Sequence, residues 1–213
     1  MLSLGTGRLS EAISSEEVLA VLVRPTSATG AERPGEGLRL RRLRQADATL
    51  YARAIGTDSP STFATRLSRA TRCYGVELDG RLVHASWVTT RCAWTRELRS
   101  LVCVGEGDAY VYESFTRGDA RGRGVYPYAL DQVCAVLAGE DVARLWVAVE
   151  SHHDPSLRAV AKAGFERAFE ISYERKLGKL TLHLPEGVKT DTHVTGGRKK
   201  RRIWLSGDGA GKQ

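Results

Sequence analysis

The stretch "TRGDARGRGVYPYALDQV", residues 116–133, packs Arg121, Gly122, Arg123 and Gly124 between a strand-like run and a helix-like run. Unpaired backbone N–H groups and the positive end of a helix dipole would converge there, and glycine lets an anion approach the backbone closely. Arginines add charge-assisted hydrogen bonds that can be bidentate. The chemistry this predicts is phosphate binding, but not of the dinucleotide kind, because the third glycine of G-x-G-x-x-G would fall on Pro127. Nor does "SGDGAGKQ", residues 206–213, make a P-loop: Ser206 stands where the first glycine is required and Gln213 where Ser or Thr should bind magnesium.

Proton transfer has several candidate residues nearby. Glu113 would share one strand face with Val111 and Phe115, and a carboxylate buried between apolar neighbours has a raised pKa. An ion pair with one of the many arginines is its other reading. His84, beside Ser86 and Trp87, is a second candidate base or else a structural histidine. His152 is expected at a strand end, in solvent. Tyr126 is bulky for such a turn; its spacing with Leu130, Val133 and Leu137 turns the ring toward the core, while its hydroxyl is a candidate acid.

A second block, "HDPSLRAVAKAGF" at residues 153–165, has Asp154 at a capping position, Pro155 to open a helix and Gly164 to stop it. Together the two blocks make the chain resemble the GNAT superfamily of N-acetyltransferases. Arg121-x-x-Gly124-x-Tyr126 fits that family's Arg/Gln-x-x-Gly-x-Gly/Ala at two of three fixed positions. Pro155, Ser156, Leu157, Arg158, Lys162, Gly164 and Phe165 fit its second block.

The resemblance implies an acetyl-CoA or other acyl-CoA co-substrate and no metal. Amides of Gly122, Arg123, Gly124, Val125 and Tyr126 would hold the pyrophosphate, with Arg121 also at the cofactor. Phe115 and Thr116 would pair their backbone with the pantetheine arm, where two neighbouring strands splay apart. His153 stands where the family usually has Asn, and Ser156 lies in the same block. The family's acid, a tyrosine, would fall on Val160, which leaves Tyr126, Tyr128 and Tyr173 to fill that role, or water. A primary amine would attack the thioester directly in a ternary complex. Trp87, Trp94, Tyr110 and Tyr112 would line an acceptor cleft or belong to the core.

The elements that must position these residues are legible in outline. Ser14 with Glu17, followed by Val18, Leu19, Val21 and Leu22, predicts a short helix over residues 10–23. Residues 24–36, rich in Pro, Gly, Ser and Thr, read as a linker. The folded body is expected over 37–184. It should open with a strand at 38–43 and two helices, then strands joined at Asp79-Gly80, the hairpin signal at its clearest. Residues 91–107 stay open. A strand over 108–116, the loop, a helix, a strand at 143–150, a second helix and two closing strands complete it. The order argues an α/β fold with a mixed, mostly antiparallel central sheet and helices on both faces.

At 213 residues and 42% hydrophobic content, the chain suits one soluble domain. No apolar run is long enough to span a membrane and no signal peptide is visible, which reads as cytoplasmic. Cys73, Cys92, Cys103 and Cys134 lie far apart, without metal-ligand spacing, and read as buried thiols. The net charge is +7, and residues 185–213 hold seven Lys/Arg against three Asp/Glu, so they read as a basic tail. Its "GGRKKRR", residues 196–202, resembles nuclear-localisation or RNA-binding patches in composition; a solvated tail is the preferred reading, and nucleic acid is not the expected partner. The expected partners are a small-molecule or peptide amine and, since the body is mildly basic, an acidic protein such as an acyl carrier protein. A non-catalytic acyl-CoA-binding module is the alternative to an enzyme.

Overall fold

The computed structural model describes residues 14–27 and 37–206. Its elements run β1 (Ser14–Pro25), β2 (Leu38–Leu43), α1 (Ala48–Ala54), α2 (Pro60–Arg66), β3 (Thr71–Leu78), β4 (Arg81–Thr89), β5 (Cys92–Thr95) and β6 (Ser100–Val104). There follow β7 (Asp108–Thr116), α3 (Val125–Ala138), β8 (Arg144–Glu150), α4 (Asp154–Lys162), β9 (Glu166–Lys176), β10 (Lys179–His183), β11 (Thr190–Thr195) and β12 (Arg198–Leu205).

Eight strands form one sheet in the order β10-β9-β1-β8-β7-β4-β3-β2. Only β7 and β8 pair in parallel; every other neighbouring pair is antiparallel. The expected mixed, mostly antiparallel α/β fold is what forms. One face is covered by α3 and α4, where Leu130, Val133, Leu137 and Val160 pack on Ala20, Leu22, Val111, Leu145 and Val147. On the opposite face α1 and α2 cover the β2-β3-β4 side, with Tyr51 and Phe63 against Trp87. A second sheet, ordered β11-β12-β6-β5, closes the rest of that face. From it Ala93, Val102, Ile203 and Leu205 pack on Leu19, Val21, Tyr110, Trp146, Ile171 and Tyr173. Among the described residues no helix is long and apolar enough to cross a membrane.

Three expectations are corrected. Residues 14–23, read as part of a helix, form strand β1, and residues 10–13 lie outside the described residues. The apolar run from Val18 to Val23 is continuous because β1 sits between β8 and β9, with Leu19 and Val21 facing one core and Ala20 and Leu22 the other. A run buried on both faces loses the alternation that marks a strand, so periodicity cannot tell it from a helix. Arg24 ties this strand to the helical face through Asp131 of α3 and the Ala163 carbonyl. The segment is thus an interior strand of the sheet although it lies before the body expected over 37–184; most of the linker, 28–36, lies outside the described residues.

The second correction is the tail. Residues 190–205 form a β-hairpin whose β12 runs parallel to β6, pairing Ile203 with Val102 and Leu205 with Val104. Ile203 and Leu205 are buried, so "KKRRIWL" is a strand with an apolar foot in the core. Residues 207–213, which carry most of the rejected P-loop, lie outside the described residues. The third correction is the cysteines. Cys73 and Cys134 are buried thiols, but Cys92 and Cys103 stand opposite each other on β5 and β6 and are joined as a disulfide.

Candidate functional site

Strands β7 and β8 pair only from Asp108 opposite Arg144 to Val111 opposite Val147. Beyond that point the two parallel strands separate, leaving Tyr112–Thr116 on one side and Ala148–Glu150 on the other. Among the described residues the backbone of β7 facing the gap has no strand partner there, whereas its other edge stays paired with β4 through Phe115 opposite Ala85 and Thr116 opposite His84. A wedge of this kind, with one strand's free N–H and C=O groups exposed along it, can take an extended amide-bearing chain as a surrogate strand.

The Arg/Gly loop opens directly onto this gap. After Thr116 the chain makes a short turn at Gly118–Ala120 and enters α3 at Val125. Gly122 and Gly124 both have positive φ, +76° and +72°, and a Cβ placed at either would meet nothing within 4 Å. Glycine is there for backbone sign, and the space above it is open. Gly124 caps α3 without a side-chain hydrogen bond, so the first N–H groups of a 14-residue helix point outward. Arg121 is held over the loop by its Nε donating to the Thr116 carbonyl, 3.2 Å, and Arg123 is exposed. The cradle therefore has the donors, charge and room that a pyrophosphate needs.

Beneath the loop lies a buried polar chain. A bulge in the β4–β7 pairing between Ala85 and Trp87 inserts an extra residue, Glu113, whose φ is +47°. It turns Ser114 toward the α3 face, where Ser114 Oγ lies 2.7 Å from Ser86 Oγ. His84 bridges onward, with Nε2 2.8 Å from Ser86 Oγ and Nδ1 2.7 Å from Thr116 Oγ1. Ser114 also hydrogen-bonds Tyr126, whose ring packs on the core and lies 5.4 Å from the His84 ring. His84 is 0% exposed, and burial drives its pKa down from 6.5 to about 3. It is a neutral link between two hydroxyls, not a base open to solvent. Burial raises the Tyr126 pKa, with the Ser114 bond opposing the rise.

The same bulge moves Glu113 from the place its sequence spacing gave it. Val111 faces α3, but Tyr112 and Phe115 face α1 and α2, because one extra residue reverses the alternation. Glu113 is half-exposed, its side chain 50% accessible, and its Oε2 lies 2.7 Å from Arg66 Nη1. The ion-pair reading is the one that forms, not the buried carboxylate. Arg66, at the end of α2, was not singled out in the sequence, yet it organises this wall. It pairs with Asp58 at 2.5 Å and Glu113, and its guanidinium lies 4.0 Å over the Trp87 ring. Burial works against its charge, but bonds to Tyr112 and Glu113 outweigh it and raise its pKa. No motif marks Arg66; only the fold brings α2 to β7.

An open cleft of about 390 Å³, lined by Ala54, Ile55, Phe115, Arg117, Gly118 and Asp119, lies where α1 ends against this strand and loop. Of the aromatics considered for an acceptor cleft, Trp87 and Tyr110 are buried core, Trp94 lies on the second sheet, and only Tyr112 borders the gap. Across the gap, His153 caps α4 without a side-chain bond and is exposed, while Ser156 is half-buried and gives its amide to the His153 carbonyl. Asp154, the residue expected to cap, is the first residue of α4 instead. Val160 is fully buried. Tyr128 donates to the Leu38 carbonyl, 3.1 Å, and Tyr173 to Glu17 and Glu150, so both hydroxyls are engaged away from the loop. His152 is exposed beside Glu150.

A sheet split between two parallel strands, with a glycine-led helix entering beside the split, defines the class: the fold is that of the GNAT N-acetyltransferases. The chain superposes on a GCN5-related N-acetyltransferase from Sphaerobacter thermophilus with a TM-score of 0.56 and 14% identity, covering 79% of this chain and 54% of that one. A GCN5-related N-acetyltransferase from Kribbella flavida gives 0.53 and 15%, over 80% of this chain and 63% of that one. The ribosomal-protein-S18-alanine N-acetyltransferase from Escherichia coli gives 0.50 and 13%, over 71% and 99%. The likeness is one of fold, and the chain spans less than two thirds of the length of the first two. No family model matches the sequence, and no curated protein matches it.

Proposed function

We propose that this protein transfers an acyl group, acetyl in the simplest case, from acyl-CoA to a primary amine. The observation that carries the reading is the separation of β7 from β8 beyond Val111 and Val147, with the Gly122/Gly124 cradle at its mouth. The amides from Gly122 to Tyr126 bind the pyrophosphate, with Arg121 and Arg123 supplying charge. The free backbone edge at Phe115 and Thr116 aligns the pantetheine arm, and a β7 amide there serves as oxyanion donor. Bound in that groove, the CoA thioester supplies an activated acyl carbon. His153 and Ser156 border the groove from α4.

The acceptor approaches from the α1–α2 side, past Tyr112 and Phe115. Glu113 is the carboxylate on that wall, and its role is to hold the acceptor's ammonium and take up its proton, with Arg66 fixing its direction. Tyr126 and Ser114 line the buried side and offer a hydroxyl relay toward the departing thiolate. A second reading, a binding module without catalysis, is favoured by one observation: Val160 is buried core where the resemblance would have an acid.

Two measurements separate these readings. Acetyl-CoA at well above micromolar concentration should raise the melting temperature; no shift sinks both readings. Thiol release from acetyl-CoA over a panel of primary amines should exceed the amine-free rate, and Glu113→Gln should lower kcat while leaving acetyl-CoA binding intact. Binding without any amine-dependent release would select the binding module.

A further inference from the structure

The second sheet carries a charge distribution that acyl transfer does not use. Residues 91–104 and 189–205, its four strands and their turns, hold nine Lys/Arg against Glu97 and Asp191. That net +7 equals the formal charge of the whole chain, so every other residue together balances to zero. Arginines of the main sheet and its helices are largely paired: Arg24, Arg41, Arg66, Arg72 and Arg144 each meet a carboxylate. On β12, among the described residues, only Arg202 does so, with Asp191, while Arg198, Lys199, Lys200 and Arg201 make no ion pair. Four uncompensated cations in succession repel one another, and an anionic partner relieves that cost.

The outward face of this sheet is also aromatic. Pairing sets Trp94, Leu101 and Arg202 side by side across β5, β6 and β12, and puts Trp204 opposite Cys103. Trp94 is 45% exposed, with Lys200 Nζ 5.2 Å above its ring, and the Arg202 guanidinium lies 5.2 Å from the Trp204 ring. The face is pinned from behind by Ile203, Leu205 and Val102 in the core, so it is a rigid platform. Indoles beside cations on a flat sheet, one of those cations, Lys200, without a carboxylate, suit a ligand with both stackable bases and phosphates. An acidic protein would use the cations but not the indole faces, and a duplex keeps its bases stacked away from them.

We propose that the outer face of the β11-β12-β6-β5 sheet binds single-stranded nucleic acid, with bases stacked on Trp94 and Trp204 and phosphates held by Arg198 and Lys200, the unpaired β12 cations that share that face. This revises the expectation of a solvated tail with no nucleic-acid partner, and it stands independently of the acyl-transfer reading. The test is fluorescence anisotropy of a labelled twelve-nucleotide oligouridylate against the full chain. With about two phosphates neutralised, by Arg198 and Lys200, binding should weaken about sevenfold between 50 and 200 mM salt. Trp94→Ala should weaken it about fivefold or more by loss of stacking. Arg198→Ala with Lys200→Ala, which share the outer face with Trp94, should weaken it and flatten the salt dependence. Both variants change exposed or half-buried side chains, and an unchanged circular dichroism spectrum confirms folding. Three results would overturn the proposal: no anisotropy change at 50 mM salt, a duplex of equal length or a poly-glutamate peptide binding as tightly, or a Trp94→Ala variant that binds like the parent.

Discussion

His84 offers a direct test of the buried relay under the loop. Its imidazole is fully buried and hydrogen-bonded to Thr116 and Ser86, and its pKa falls from 6.5 in the unfolded chain to about 3 in the folded one. Between those values the unfolded chain takes up a proton that the folded protein refuses, so stability is complete above pH 6.5 and declines as pH falls. Each unit of pH in that window costs about 1.4 kcal/mol for one such group. From pH 6.5 to pH 5 the wild-type protein should therefore lose about 2 kcal/mol on account of His84 alone. His84→Gln keeps hydrogen-bonding atoms in the site but does not titrate. Guanidinium unfolding of both proteins at pH 7, 6 and 5 reads the difference, in which carboxylates elsewhere cancel because they titrate alike in the two. The variant should be less stable at pH 7, and the gap should close by about 2 kcal/mol at pH 5. A gap that stays constant across the series would refute the claim that this histidine is held neutral.

Other consequences are equally specific. Gly124→Ala places a Cβ where space is free but φ is +72°, so it should cost about 1–2 kcal/mol of stability and weaken acetyl-CoA binding, both readable by calorimetry. Val160→Tyr overfills a fully buried position on α4 and should destabilise by about 1–3 kcal/mol without raising the rate of thiol release. Reducing the Cys92–Cys103 bridge, which closes a separation of 11 residues, should cost about 3 kcal/mol in unfolding experiments with and without reductant; equal stability in both would count against the bridge.

What the sequence made legible was carried by local backbone chemistry. The turn at Asp79-Gly80, the glycine entry to α3 and its stop at Gly139, and the Pro155 start of α4 are written within a few residues of where they act. β1 was not legible for the opposite reason. Ser14 and Glu17 supply a helix-start pattern, while the strand's real determinants are the edges of β8 and β9, far along the chain. Glu113 was singled out as a candidate base between Val111 and Phe115, yet its orientation depends on a bulge that only register reveals. Arg66 carries no signal of its own, and the pairing of Cys92 with Cys103 needed the hairpin in the segment left open. Burial of Ile203 and Leu205 turned a basic run from a tail into a strand, because charge composition describes an outer face and says nothing of the other.

The place of β1 also sets a timetable for folding. Leu19 waits for Glu150, and Val18 for Ser172, before either has a neighbour to pair with. At about 5–20 residues per second, the interval on a ribosome is on the order of ten seconds or more. Throughout it a strand able to bond on both edges, with apolar faces front and back, is exposed to whatever else is near. β1, made well before both of its partners, is thus among the last strands to be housed, and the sheet cannot close until it is. Long-range closure of this sort slows folding, and a chaperone that shelters residues 14–25 would be expected to raise the yield of native protein.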